Sequence, residues 1–390
     1  MGLCTGYFNQ GRFRNSSRYV SLSHRIQCNR RIKDGQIRRD QMKLFKSIII
    51  LALLSHVCFS DEIHRYGTTA ANFLEIGIGS ASGGMGEAYV AVANDLSAIY
   101  WNPAGLASLK GVGIQFMIQP WVVNINTIFT AGAINVPRIG TFALSLTQIG
   151  YGQMDVTTLS YQEGTGEKFT ANELALTFSF GRRLVPWFAF GANAKLVQSN
   201  IWHASANAFA LDLGVLVNTH FFSVTGEKAD GMVIGMSISN YGTRMKYDGI
   251  DLYQPIDISE YEEGNYGDVA GQFRTQEWEL PLLFRIGVAV KPIVSNFTTL
   301  TLSADAVHPN NNTESINIGF AFKVKFPGNG AIVFRGGQKA LYMDEAQFGL
   351  TGGLGLEWNF LNNRKIIVDY AYKTMGILGN VHATTIGLNF

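Results

Sequence analysis

The chain has 390 residues, of which 15% are charged and 12% aromatic, with 43 glycines against 9 prolines. Soluble domains carry roughly 25% charged residues, which argues against an ordinary soluble protein, while a mean hydropathy of +0.09 is too polar for a bundle of membrane helices. The net charge of +2 conceals nine Lys/Arg against two acids in residues 1–41, and 20 basic against 27 acidic residues from Asp61 onward. The basic excess belongs to the leader and gives no ground for nucleic-acid binding by the rest.

Residues 42–60 read as a secretory signal peptide. Lys43 and Lys46 form a positive start, Ser47 to Leu54 an apolar run, and Val57-Cys58-Phe59-Ser60 a cleavage site before Asp61. The run is shorter than the ~20 apolar residues of a spanning helix. Residues 1–41 fit either a true start at Met42 or an extended positive n-region. Cys4, Cys28 and Cys58 all precede the cleavage site, so the exported chain is expected to have no disulfide and no thiolate metal site.

Residues 61–111 form the next unit. Met85, Ala88, Tyr89, Val92, Leu96 and Ile99 recur at helical spacing, and Asp95 is placed to cap a following turn. Asn102-Pro103 reads as a cap with proline at the first helical position, predicting a second short helix through Ala107. Gly77, Gly79, Gly83, Gly84 and Gly86 predict tight approaches between these pieces. Lying before the first strand, the unit is placed to enter a barrel mouth as a small helical hatch.

From residue 112 to the end the pattern alternates with period two. Leu174, Leu176, Phe178 and Phe180 oppose Ala175, Thr177, Ser179 and Gly181; Phe284, Ile286 and Val288 oppose Arg285, Gly287 and Ala289. One face is large and apolar, the other small or charged. A soluble sandwich would put Lys, Glu and Thr on its polar face; a face dominated by Gly and Ala fits a lumen that holds something. Strands starting near 112, 124, 139, 171, 186, 204, 231, 278, 297, 314, 329, 346, 364 and 381 predict a closed antiparallel transmembrane β-barrel of about 14 strands over 112–390. An even count puts both termini on the periplasmic side.

The stretch 247–279 interrupts the strands with nine acids and one base, Arg274. A connection of this length is expected outside the cell, either as a solvated loop or as a surface for divalent cations or a basic partner. The chain ends with Ile386, Leu388 and Phe390 on one face, the pattern by which barrel assembly machinery recognises a terminal strand.

No catalytic constellation is visible, so the chain is not expected to be an enzyme or to hold a metal or other cofactor. His64, His203, His220, His308 and His382 lack metal-ligand spacing, and Gly77-Ile78-Gly79 lacks the βαβ context of a dinucleotide site. By parity, Lys195, Asp212, Arg285, Asp305, Lys323, Arg335, Glu357 and Asp369 face the lumen. They are expected to form a salt-bridged network that docks the hatch; a polar conduction path is the alternative.

Two blocks carry a family resemblance: Ala71-Asn72-Phe73-Leu74-Glu75-Ile76-Gly77 with Gly84-Met85-Gly86-Glu87-Ala88-Tyr89, and Trp101-Asn102-Pro103-Ala104-Gly105-Leu106. With Phe334-Arg335-Gly336-Gly337 and Leu378-Gly379-Asn380-Val381-His382, the chain resembles the PorV/PorQ family of outer-membrane proteins over most of 68–390. Asn102, Pro103, Ala104 and Gly105 also look like the hatch motif of FadL-type fatty-acid transporters. Ala383-Thr384 departs from the basic and aromatic pair more usual in the family at that strand end. The resemblance implies a fourteen-stranded, hatch-filled outer-membrane barrel acting in type IX secretion, with the translocon and secreted cargo as partners. The alternative it leaves open is passage of hydrophobic solutes into the lipid, for which Gly140, Gly150 and Gly152 are placed to kink an early strand.

Overall fold

The computed structural model describes residues 65–390 apart from 259–260, 262–268, 329, 344–345 and 361–363. The signal peptide and the residues before it lie outside the described residues. Fourteen long strands form the wall: β1 Val112–Pro120, β2 Asn126–Val136, β3 Gly140–Asp155, β4 Lys168–Val185, β5 Phe188–Ile201, β6 Ala204–Asn218 and β7 Val233–Gly242, then β8 Leu283–Val294, β9 Thr298–Pro309, β10 Ser315–Lys325, β11 Gly330–Leu341, β12 Leu350–Phe360, β13 Arg364–Thr374 and β14 Asn380–Asn389. Each pairs antiparallel with its neighbours in the chain, and β1 closes on β14 with Gly113 opposite Asn389 and Ile118 opposite Thr384. Closure removes every sheet edge, the only way a sheet can satisfy its backbone in lipid. Among the described residues no helix is long and apolar enough to cross a membrane.

The strands keep the predicted parity. Phe178 is 52% and Leu196 57% exposed, while Thr177, Ser179, Lys195 and Val197 between or beside them are buried. A watery surface does not carry such a continuous apolar coat; lipid does. Leu196→Arg is therefore expected to destabilise the barrel by about 2–4 kcal/mol, the cost of a basic side chain at mid-bilayer. Reversible unfolding from lipid vesicles reads this directly, and a shift inside ~0.5 kcal/mol, ordinary for water-exposed sites, would contradict a lipid-facing Leu196.

Two expectations are corrected. The strand placed near 278 begins at Leu283. Trp278 instead bridges back to Met245, and Pro281 has no N–H to offer a ladder. The helical spacing of Met85 to Ile99 does not make one helix: among the described residues α-helix is confined to α1 Ser80–Gly84 and α2 Ala98–Trp101, with turns between. Gly86 and Glu87 both adopt left-handed conformations, with φ of 64° and 63°, which no right-handed helix can pass through. The backbone there is satisfied by the wall instead: Ser303 Oγ donates to Ala88 O at 2.7 Å, and Val90 N donates to Asp305 Oδ2 at 2.8 Å.

The acidic excursion is longer than its sequence span suggested, running from Gly242 to Leu283. It contains a short hairpin, Tyr253–Ile256 against Val269–Gln272, and Asp248–Gly249 pairs with the start of β6. The connections at the terminal end of the barrel are mostly tight turns. The exception there is the 219–232 connection between β6 and β7; the 155–168 connection and this excursion, the longest, lie at the other end.

Candidate functional site in the barrel lumen

Most of residues 70–108 are buried against the inward faces of the strands, with Asn72, Asn94 and Ser108 exposed. Phe73 and Leu74 sit among Ala175, Val197 and Ala208 of the wall, and Trp101, Ile99 and Leu106 sit with Met117, Phe129 and Ala143. Small wall residues leave the room that large segment residues occupy.

The tightest seat belongs to Asn102, Pro103, Ala104 and Gly105. Pro103–Ser108 is a 3-10 helix, and Asn102 caps it by accepting from Ala104 N at 3.1 Å. The Asn102 amide also donates to Val90 O and to Val215 O of β6, each at 3.0 Å, so one side chain ties the turn to the segment and to the wall. Beneath it, Gly181, Gly191 and Gly214 stand opposite one another on β4, β5 and β6. A Cβ on Gly181 would lie 2.8 Å from Pro103 O, and one on Gly191 would overlap the Pro103 carbonyl carbon. Gly105 is required from the other side, because a side chain there would strike Ala93 O.

The inward charges gather in separate places. Lys195 Nζ lies 2.8 Å from Asp212 Oδ2, Arg335 Nη1 2.6 Å from Asp369 Oδ1, and Lys323 Nζ 2.5 Å from Glu357 Oε2. Asp212 additionally accepts from Asn193, whose amide reaches Ile99 O at 2.7 Å. Arg285 and Asp305 do not join an ion pair among the described residues. Arg285 donates to Ser239 Oγ at 3.2 Å and to Tyr100 OH at 3.3 Å, with its guanidinium 5.2 Å from the Tyr100 ring centre; Asp305 takes the Val90 N–H. The inward charges thus form separate salt-bridged groups, with Asp305 and Arg285 engaged instead by Val90 N and Tyr100 OH of the segment.

The strongest charge contact between segment and wall was not singled out in the sequence. Glu87 lies 2.8 Å from Lys339 Nζ and 3.4 Å from Lys373 Nζ, and Lys365 joins Glu357 at 2.6 Å. The signal for the lysines was available: Lys339 shares parity with Arg335, and Lys365 and Lys373 share it with Asp369. Nothing local marks Glu87. Burial pushes its carboxyl up, and Lys339 and Lys373 more than reverse this, holding it down at about 2. Because its folded value lies below the ordinary 4.5, its contribution is fully present above pH 4.5 and is lost as pH falls toward about 2. We expect limited proteolysis of the reconstituted barrel to find the segment docked at pH 4.5 and increasingly accessible toward pH 2. Glu87→Gln should flatten that acid step; an identical step in the variant would assign it to other groups.

At the terminal strand, Ile386 and Phe390 are exposed on the lipid face and Leu388 is partly so. Phe390 N donates to Val112 O at 2.8 Å and Val112 N to Phe390 O at 3.2 Å, so the last residue completes the closing seam. Among the lumen cavities, two flank the segment toward opposite ends of the barrel. One of ≈ 230 Å³ is lined by Glu75, Glu87, Tyr100, Trp121, Arg285 and Lys339. The other, ≈ 150 Å³ and nearer the termini, is lined by Asp95, Lys323, Arg335, Glu357 and Asp369. Burial raises the Glu75 carboxyl above its ordinary value, against the opposing influence of Asn311, Lys339 and Arg285. Among the described residues no cluster of His, Cys, Asp or Glu has the geometry to hold a metal ion; Glu260, Glu262, Glu263 and Asp268 of the acidic excursion fall outside the described residues.

Residues 59–260, covering the lumen segment and the first seven strands, match the family model described as type IX secretion system protein PorV. The chain belongs to the PorV family. No curated protein sequence matches it. Solved structures similar to this PorV-family barrel include the Ralstonia pickettii toluene transporter TbuX, at 11% identity and TM-score 0.49 over 80% of this chain and 97% of that one. The Pseudomonas putida toluene transporter TodX gives 12% identity and TM-score 0.49 over 80% and 99%. A Pseudomonas aeruginosa FadL homologue gives 10% and 0.48 over 80% and 97%. Barrel and family together make this an outer-membrane protein.

Proposed function

We propose that this PorV-family barrel serves type IX secretion as a cargo- or translocon-binding barrel. The observation that carries the reading is the family match across 59–260. The filled lumen supports it: residues 70–108 act as a hatch, Asn102, Pro103, Ala104 and Gly105 anchor that hatch, and the inward ion pairs hold its surroundings rigid. On this reading the termini and short turns face the periplasm, the long connections form the outer working surface, and Ile386, Leu388 and Phe390 are the signal read by the barrel assembly machinery.

A second reading, passage of a hydrophobic solute, draws on a β-bulge in β3. Its register with β4 shifts between Gly150 and Gln153, and Gly152 is left-handed with φ of 76°, one of several irregularities in the wall at which the ladder is locally disrupted. A deletion strain separates the two. Loss of secreted cargo with normal uptake of fatty acids and aromatic hydrocarbons supports secretion; impaired uptake with intact secretion overturns it in favour of transport.

A further inference from the structure

The ends of β3, β4 and β5 remote from the termini frame a hollow that the lumen contacts above do not use. Its walls are Tyr151, Met154, Phe169, Ala171 and Ile201, with Tyr247 from the acidic excursion, and its volume is ≈ 330 Å³. That lies within the range of small-molecule sites, about 300–1,000 Å³. Into this mainly apolar space projects Glu173, only 8% exposed.

Glu173, like Asp305, lacks the counter-charge that most of the buried carboxylates have. Glu87, Asp212 and Asp369 each face a lysine or arginine. Glu173 Oε2 accepts one hydrogen bond, from Tyr151 OH at 2.5 Å. Among the described residues no Lys, Arg or His nitrogen lies within 4.0 Å of it. A carboxylate withdrawn from water costs several kcal/mol unless a counter-charge and further hydrogen bonds compensate, and a single phenol supplies only part of that. Beside it, Ser199 Oγ and Tyr247 OH lie 2.7 Å apart, offering oxygen acceptors.

We propose that this hollow binds an alkylammonium group, its nitrogen at Glu173 and its apolar stem along Met154, Phe169 and Ile201. An ammonium carries three donors and no acceptor. Glu173 takes one, and the Tyr247 and Ser199 oxygens are placed for the others. The faces of Tyr151, Tyr247 and Phe169 add attraction for a cation. A carboxylate ligand is repelled by Glu173, and a bare divalent cation, which needs six or more oxygens, finds one carboxylate and a few hydroxyls. The same chemistry is presented by a free alkylamine and by a lysine side chain of a polypeptide entering this end of the barrel. The site stands whether the barrel serves secretion or transport.

The test is calorimetric titration of the full barrel in a non-ionic detergent with hexylammonium, hexanol and hexanoate. Hexylammonium should bind saturably, with hexanol and hexanoate weaker by roughly tenfold or more, the equivalent of 1.4 kcal/mol. Glu173→Gln keeps an oxygen for Tyr151 and should lose that preference. Ala171→Phe, which fills the hollow while leaving the carboxylate in the chain, should abolish binding and covers the case in which the first variant fails to fold. N-acetyl-lysine methylamide binding like hexylammonium assigns the site to a lysine side chain; hexylammonium alone assigns it to free amines. No saturable binding, equal binding of hexanol, or undiminished preference in a folded Glu173→Gln overturns the proposal.

Discussion

Gly191→Val will expel the Asn102–Ser108 turn from its seat and open the lumen, while leaving the wall able to assemble. The substituted residue sits on β5 with Gly181 and Gly214 across from it on both sides, and valine favours strands, so the ladder itself has no reason to fail. The clash is with the segment: a Cβ there overlaps Pro103, and backbone cannot rotate away as a side-chain tip can. Overpacking of this kind costs about 1–3 kcal/mol, sometimes more. Displacing the turn also strips Asn102 from Val90 O and Val215 O, each buried carbonyl left alone adding about 1–3 kcal/mol. Together these approach the whole stability with which a short buried segment can be held. Liposome swelling with small sugars should rise sharply for Gly191→Val while heat-modifiable migration stays that of a folded barrel. Asn102→Leu should move permeability the same way by a smaller amount. Unchanged swelling in both would mean the turn does not close the lumen.

Removal of Phe390 will reduce the amount of folded protein in the outer membrane several-fold. The final residue contributes both members of a hydrogen-bonded pair to the β1–β14 seam. Its ring is half-exposed toward lipid on the face shared with Ile386, and the Arg364 guanidinium lies 5.6 Å from the ring centre. Losing the seam bonds alone costs about 1–3 kcal/mol, enough to change abundance severalfold where unfolded chains are degraded. A recognition defect predicts more: Phe390→Ala keeps the backbone pair, so if the aromatic residue is the assembly signal, this variant should be almost as depleted in pulse-chase as the truncation. If Phe390→Ala accumulates normally, the residue matters to the seam and not to recognition.

The inward ion pairs set a limit on what conduction could mean here. Lys195 with Asp212 and Arg335 with Asp369 are buried pairs of opposite sign, so they offer no uniform field to a permeating ion. Their geometry suits rigidity better than passage. Breaking one by removing a single partner leaves a buried charge, at a typical cost of 3–5 kcal/mol, whereas replacing both is far gentler.

Much of the wall was legible in the sequence. Side chains alternate across a strand, so lipid on one side and lumen on the other write a period-two pattern that each strand carries by itself. That is why Lys195, Asp212, Arg285 and Asp369 could be assigned to the interior, and why fourteen strands could be placed mostly within a few residues. The Asn102-Pro103 cap was equally legible, since a cap is a matter of adjacent residues. Neither Lys339 nor Lys373 required the structure; the same parity holds them.

The lumen segment was not legible in the same way. Met85 to Ile99 has helical spacing, yet its backbone bonds go to Ser303 and Asp305, more than 200 positions along the chain, and Glu87 is held by Lys339 and Lys373. Contacts at such separation leave no periodic mark, because closing the barrel decides which side chains meet inside it. The sequence by itself determined the alternation, the strand count and the inward residues, all of which follow from how one strand meets lipid. Only the tertiary structure decided how the chain before β1 fills the interior and which charges pair, since those depend on distances between strands that no local pattern records.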